Sequence, residues 1–107
     1  MVKRISLARR RPDLTRAEFA AHWLGPHSDI ARSIPGLRGY RINLSRDPDS
    51  VWDGVAETWF DSEEEAVAAF NTEPIKGLMT ADRPKFLDEV IVFIADEHVV
   101  VEPPTGR

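Results

Sequence analysis

The chain has 107 residues, enough for one domain, and its 42% hydrophobic content suffices for one small core. It contains no cysteine, which excludes disulfides, thiolate zinc sites and a cysteine nucleophile. No apolar run approaches the length of a membrane span and no stretch reads as a signal peptide, so we expect a cytoplasmic protein without a membrane partner. We expect one domain over residues 1–107, with a flexible tail over 102–107.

Charge is divided unevenly along the chain. Residues 1–46 carry a net charge of +7 and residues 47–107 a net charge of −11, which gives −4 overall. The basic half, with its run Arg9 to Arg11, could indicate a nucleic-acid-binding face. No aromatic ladder accompanies this run, however, and the acidic half of the same domain would repel phosphate. We therefore expect the two halves to face each other and expect no nucleic-acid partner.

The first predicted elements are a strand over Val2–Ala8 and, after a polar turn, a helix. Thr15 and Glu18 have the spacing of a capping box, which is typical of a helix start. The dipeptide Gly25-Pro26 should kink or split this helix, because proline lacks an amide donor and clashes with the preceding turn. Pro35-Gly36 predicts the end of the helical segment.

The second half of the chain predicts two more strands and a helix before a final strand. The elements expected in order are a strand over Leu37–Leu44, a polar loop over 45–53, a strand over Gly54–Phe60, a helix from Asp61-Ser62 that buries Val67 and Phe70, short helical pieces over 73–86, and a strand over Val90–Ala95.

This order, strand-helix-strand twice, predicts the ferredoxin-like βαββαβ fold of the α+β class, an antiparallel sheet with both helices on one face. The segment Val90–Ala95 reads VIVFIA and is apolar on both faces. The sheet face away from the helices should therefore also be covered, and a second copy of so short a chain is the expected cover. We expect a homodimer.

One histidine lies where an apolar side chain is expected. A single stripe of the first helix consists of Phe19, Trp23, His27, Ile30 and Ile34. His27 is then either a core histidine with a satisfied hydrogen bond or a general acid or base that faces an apolar pocket. Imidazole is the side chain that titrates nearest neutral pH, which suits the second role.

Four segments, LTRAEFAAHW, GPH, PGLRGY and DGVAETWF, resemble the EthD-type family of dimeric α+β barrels. The likeness spans Val2 to Val100. The family consists of small cofactor-independent proteins that include lactone isomerases and polyketide cyclases or dehydratases, besides accessory proteins of oxidative degradation. The resemblance implies a pocket between helices and sheet, faced by His27 and by Tyr40, which follows the PGL turn. The second histidine and the cysteine of lactone-isomerising relatives have no clear match.

Further candidate residues come from the two middle strands and the first helix. Glu57 lies between Val55 and Trp59, so its carboxylate is either solvated or held in the pocket as a third catalytic group. Tyr40 is either a packed strand aromatic or a hydrogen-bond donor in the pocket. The aromatic side chains expected to line the substrate pocket are Phe19, Trp23 and Trp59. His22, well off the stripe, and His98, in the tail, are expected to be solvated.

Three functions compete on these grounds. The first is an isomerase, cyclase or dehydratase without a cofactor, which acts on a small oxygenated cyclic or polyketide-like substrate. The second is a non-catalytic accessory or carrier protein that holds a metabolite in the same pocket. The third is a haem-handling protein, with His27 as the lone ligand. Sequence motifs for metal sites, phosphate loops and serine nucleophiles are absent, so we expect no metal and no cofactor.

Overall fold

The computed structural model describes residues 1–104, and its elements follow the predicted order. They are β1 (Val2–Arg10), α1 (Arg16–His22), a π-helical turn (Trp23–His27), α2 (Ser28–Ala31), β2 (Gly39–Leu44), β3 (Gly54–Phe60), α3 (Glu63–Asn71), α4 (Ile75–Asp82), a 3-10 turn (Arg83–Lys85) and β4 (Leu87–Asp96). The expected tail over 102–107 extends beyond the described residues, since 105–107 lie outside them.

The four strands form one antiparallel sheet in the order β2-β3-β1-β4. This order and the helices packed on one side confirm the ferredoxin-like fold. Strand β3 alternates strictly between buried and half-buried residues from Gly54 to Phe60, so one of its faces meets the helices. Cross-strand partners share a face, which places Arg4, Ser6 and Ala8 of β1 on that helix-facing side.

The helix start is the one that the sequence predicts. The Thr15 hydroxyl accepts from the Glu18 amide at 3.1 Å, and the Glu18 carboxylate accepts from the Thr15 amide at 2.8 Å. Both partners of the capping box are thus in place, and two amides of the first turn are satisfied. The helix can therefore begin at Arg16 without buried, unpaired donors.

The core between helices and sheet has two adjoining clusters. One joins α2, α3 and α4 to β3 and contains Phe60 and Met79, while the other joins α1 to Ala8 and Ala56 of the sheet through Phe19 and Phe86. Gly54 permits the close approach of the first helical segment. A methyl group there would meet the Trp23 ring at 2.5 Å and the Asn43 carbonyl at 2.9 Å.

Helix α3 differs from its prediction in the residues that it buries. Val67, expected in the core, is 49% exposed, whereas Ala66 and Ala69 are buried. The helix packs so closely on the sheet that its small residues take the inner positions, and Phe70 reaches the core only in part. The prediction for Val67 was therefore wrong.

The two oppositely charged halves of the chain do pair with each other. Lys3 binds Glu57 at 2.8 Å and also Glu97, and Arg9 binds Asp88 and Glu89 of β4. These pairs satisfy much of the basic surface of β1 within the fold. None of the helices in residues 1–104 has the length and apolar character needed to cross a membrane. The cytoplasmic location stays a prediction.

Candidate functional site

A π-helical turn, Trp23–His27, replaces the predicted break in the first helix. The backbone is right-handed helical on both sides of Gly25-Pro26, so of the predicted kink or split, the split was wrong. The i→i+5 hydrogen-bonding pattern explains the difference, because Pro26 has no amide to donate and the wider turn lets the helix continue without the i→i+4 bond that this amide would make. The carbonyl of Trp23 accepts from both the backbone amide and the hydroxyl of Ser28, the latter at 2.6 Å.

This π turn also decides where the two helix histidines point. In a regular α-helix His22 and His27, five residues apart, would face directions about 140° apart. A π turn brings residues i and i+5 close to the same side. Both rings consequently reach one carboxylate, that of Asp82 at the end of α4.

Asp82 holds His27 through a short hydrogen bond. The Nδ1 atom of His27 lies 2.8 Å from Oδ2 of Asp82, and Nε2 of His22 lies 3.0 Å from the same oxygen. Asp82 is 4% exposed and His27 is 9% exposed, so water has little access to this contact. An ionised carboxylate only accepts hydrogen bonds, so Nδ1 carries the proton and Nε2 of neutral His27 keeps its lone pair.

The electrostatics of the pair favour a neutral imidazole beside an ionised carboxylate. Burial lowers the pKa of His27, and the nearby Arg83 and His22 lower it further, while Asp82 partly opposes this shift. Burial alone would raise the pKa of Asp82, but the hydrogen bonds from His27 and His22 hold it below its usual value. At neutral pH, His27 can therefore accept a proton at Nε2.

A cavity between the helices and the sheet is lined by His27. Its volume, taken as the space open to the centre of a water molecule, is about 50 Å³. Its polar lining comes from six side chains besides His27, namely Arg4, Ser6, Tyr40, Thr58, Arg83 and, at the aromatic wall, Trp23. The other walls are mainly aliphatic and aromatic. This is the pocket expected between helices and sheet, and His27 and Tyr40 share it.

Tyr40 reaches the cavity from β2. Burial raises the pKa of its phenol, and the neighbouring Ser28 and Trp23 only partly offset that rise. The hydroxyl therefore keeps its proton at neutral pH and can donate a hydrogen bond. This suits stabilisation of an oxyanion rather than proton abstraction.

Glu57 and Trp59 do not join this cavity. They alternate with the buried Ala56 and Thr58 along β3, so they lie on the sheet face opposite the helices. Glu57 accepts from Lys3 at 2.8 Å, which lowers the pKa of its carboxyl, and from Asn43 at 3.0 Å. The expectation that Glu57 acts in the pocket is therefore corrected: the strand alternation commits this carboxylate to an ion pair on the open face, and Trp59 goes with it.

Two further expectations change. Phe19 is 1% exposed and packs against Trp23 and Phe86 in the core, away from the cavity lining, so of the expected aromatic residues only Trp23 meets the cavity. His22, expected to be solvated, is only half-exposed and binds Asp82. Sequence reasoning also missed Asp82 itself. An aspartate two residues before a proline, in a segment of short helical pieces, carries no local signal of a partner 55 residues away.

Among residues 1–104, no group of three or more His, Asp or Glu side chains is arranged to hold a metal ion. His22 and His27 instead donate hydrogen bonds to the carboxylate of Asp82. The ring nitrogen that each histidine turns toward Asp82 is therefore occupied.

The EthD domain model matches residues 11–89 of the chain, a segment that contains His27, Tyr40 and Asp82. The chain belongs to the EthD family. This confirms the resemblance carried by the four sequence segments. No curated protein is similar enough in sequence to match the chain.

Solved structures agree with this family and its fold. An ethyl tert-butyl ether D (EthD) family protein from Bacillus halodurans is 27% identical and covers 92% of this EthD chain and 99% of its own, with a TM-score of 0.75. A dimeric protein of unknown function from Bacteroides fragilis, with a ferredoxin-like fold, is 16% identical over 90% of this chain and 95% of its own, with a TM-score of 0.69. The hydroxynitrile lyase from Passiflora edulis is 14% identical over 95% of this chain and 96% of its own, with a TM-score of 0.71.

Proposed function

We propose that the protein is a cofactor-independent acid–base enzyme, an isomerase, cyclase or dehydratase, that moves protons on a small oxygenated cyclic or polyketide-like metabolite. The observation that carries the proposal is the hydrogen bond of His27 to the buried Asp82 at the wall of the cavity. A base oriented by a carboxylate, facing an apolar pocket, is the arrangement that general-base catalysis requires.

The proposed reaction begins with proton abstraction by Nε2 of His27 from a carbon next to a carbonyl. The electron pair of the broken C–H bond moves into the carbonyl, and the phenol of Tyr40 donates a hydrogen bond to the developing enolate oxygen. Asp82 stabilises the imidazolium that forms. The proton then returns to a different carbon, which isomerises the substrate, or passes to a leaving hydroxyl, which dehydrates it. The hydroxynitrile lyase from Passiflora edulis has the same fold, which supports the proposal that this fold can hold an active site.

The test detects proton abstraction without knowledge of the final product. The protein is incubated in D₂O with a panel of lactones, cyclic ketones and 1,3-diketones, and exchange of the protons next to the carbonyl is followed by ¹H NMR. We expect catalysed exchange for part of the panel, and a loss of roughly two to four orders of magnitude in His27→Ala, the range typical of a missing general base. His98→Ala is the matched control, since His98 is exposed in the tail.

The other outcomes separate the competing functions. Panel members that bind in the cavity without exchange would support a carrier protein. A Soret band after addition of haem, absent in His27→Ala, would support haem handling. If His27→Ala unfolds the protein, His27→Gln provides a second variant, and exchange at the wild-type rate in a folded variant would overturn the proposed base.

We also propose that the protein forms a homodimer through the open sheet face. The register places six apolar side chains on that face: Ile5, Leu7, Val55, Trp59, Ile91 and Phe93. Phe93 is 48% exposed and Ile91 is 43% exposed, an arrangement that a stable monomer rarely leaves in water. The fold relative from Bacteroides fragilis is described as dimeric, which supports this proposal.

A further inference from the structure

Two arginines, Arg4 and Arg83, line the cavity without a carboxylate partner. Arg4 lies on the helix-facing side of β1, and Arg83 directly follows α4. Neither guanidinium forms an ion pair with an Asp or Glu of residues 1–104. Outside the cavity, Arg9, Arg10, Arg11, Arg32 and Arg38 pair with carboxylates, whereas Arg16, Arg41 and Arg46 do not, so what distinguishes Arg4 and Arg83 is their place in the cavity lining.

Contacts with neighbouring side chains fix the guanidinium of Arg4 but leave donors unused. Its Cζ atom lies 3.8 Å from the centroid of the Phe70 ring, and its Nη1 atom donates to Ser6 Oγ at 3.1 Å. A guanidinium has five N–H donors, so most of those on Arg4 have no acceptor in the described part of the chain. The side chain of Arg83 makes no hydrogen bond to any residue of 1–104.

Two half-buried cations in one cavity are costly without an anion. Burial lowers the pKa of Arg4 to about 10, and repulsion by Arg83 contributes to this shift. Burial also lowers the pKa of Arg83. The adjacent Asp82 does not relieve the cost, because His27 and His22 occupy its carboxylate. An anion held between the two guanidinium groups would remove the repulsion and give their free donors a charged acceptor in place of water.

We propose that Arg4 and Arg83 form an anion subsite for a carboxylate of the substrate, so that the substrate is a small carboxylic acid with an apolar remainder. The inference rests on the proposed function in one respect, since it takes the His27 cavity as the substrate site. The planar guanidinium matches a carboxylate with two parallel hydrogen bonds. The apolar remainder would lie against cavity walls such as Ile34 and Met79.

The carboxylate subsite also gives the substrate an orientation. Arg83 is near enough to His27 to lower the pKa of its imidazole, so a carboxylate on Arg83 lies within electrostatic range of the proposed base. The reacting carbon would then lie between this anchor and Nε2 of His27. Binding energy from a group that does not react would thus position the carbon that does.

The experiment compares matched ligands that differ only in charge. Benzoate, phenylacetate and cyclohexanecarboxylate are titrated against their carboxamides and against phenyl phosphate, and dissociation constants are taken from ¹⁵N–¹H NMR shifts of cavity residues. We expect carboxylates to bind roughly 10- to 100-fold tighter than carboxamides, as charge-assisted hydrogen bonds imply. Arg4→Met and Arg83→Met should each abolish most of this preference. Arg46→Met, in an exposed loop, is the control that should retain it.

Each alternative outcome overturns the subsite. The subsite is wrong if carboxamides bind as tightly as carboxylates, or if phenyl phosphate binds more tightly than the carboxylates. It is also wrong if folded Arg83→Met keeps the preference for carboxylates, or if no carboxylate binds in the cavity at millimolar concentration. His27→Ala distinguishes this inference from the proposed function. If the subsite is right and the enzyme proposal wrong, His27→Ala and wild type bind carboxylates alike and neither exchanges protons. If the enzyme proposal is right and the subsite wrong, the wild-type protein exchanges protons but binds carboxylates and carboxamides equally well.

Discussion

The Nδ1 atom of His27 and the Oδ2 atom of Asp82 lie 2.8 Å apart, although 55 positions separate the residues in the chain. The contact joins the π-helical turn to the end of α4 and lies almost out of reach of water. A carboxylate in this position selects the Nδ1–H tautomer of the imidazole and fixes the ring. It also stabilises the imidazolium that forms when the ring accepts a proton.

Asp82→Asn should therefore lower catalysed proton exchange while most of the fold persists. The amide keeps the shape of the side chain but removes the charge that fixes the tautomer, so we expect a loss of roughly one to three orders of magnitude. NMR titration should show a further decrease in the pKa of His27, because Asp82 is the group that raises it.

A double variant distinguishes positioning from a general structural effect. If Asp82 acts through the imidazole, Asp82→Asn should change the exchange rate little in a His27→Ala background. An equal loss in both backgrounds would mean that Asp82 supports the protein by some route that does not involve His27.

Tyr40→Phe should reduce exchange less than His27→Ala. The substitution removes one hydrogen bond to the developing enolate and keeps the ring packing of the strand aromatic. We expect a loss of roughly 10- to 100-fold in exchange rate with little change in ligand affinity, because the hydrogen bond strengthens as negative charge develops. A loss confined to affinity would place Tyr40 among the binding residues instead.

The sequence predicted the fold well because its signals are local and periodic. The capping box at Thr15, the alternation along Gly54–Phe60 and the apolar strand around Val90–Ala95 each depend on neighbouring residues. The site was predicted only in part. His27 and Tyr40 share the cavity, but a π turn changes the helical spacing and so brings in His22 against expectation. Strand β3 has apolar residues on both of its faces, so its alternation alone could not show whether Glu57 faces the helices or the open side of the sheet.

The pH dependence of stability should reveal the buried imidazole. The folded pKa of His27 lies below its ordinary value of 6.5, so as the pH falls below 6.5 the unfolded chain takes up a proton before the folded chain does. The free energy of unfolding should therefore decrease between pH 6.5 and the folded pKa. Asp82 adds a separate loss only below its ordinary value of 3.8, since its folded pKa is depressed.

Urea denaturation at a series of pH values measures this decrease. His27→Gln cannot bind the proton in either state, so its stability should depend less on pH just below 6.5, whereas His98→Gln should behave like the wild type. A His27→Gln profile parallel to that of the wild type would show that His27 titrates alike in both states, contrary to its buried position.

The open sheet face provides the final prediction, which concerns assembly. Light scattering at micromolar concentration should give about twice the mass of the chain. Phe93 lies on this face, opposite Ile5 in the register, and is 48% exposed in the single chain. Phe93→Asp would bury a carboxylate against the apolar face of the partner, so it should shift the mass toward that of one chain. Val51→Asp, in a loop and 65% exposed, is the matched control and should stay dimeric. A wild-type protein that scatters as a monomer would refute the dimer and leave the cavity proposals to be judged on their own tests.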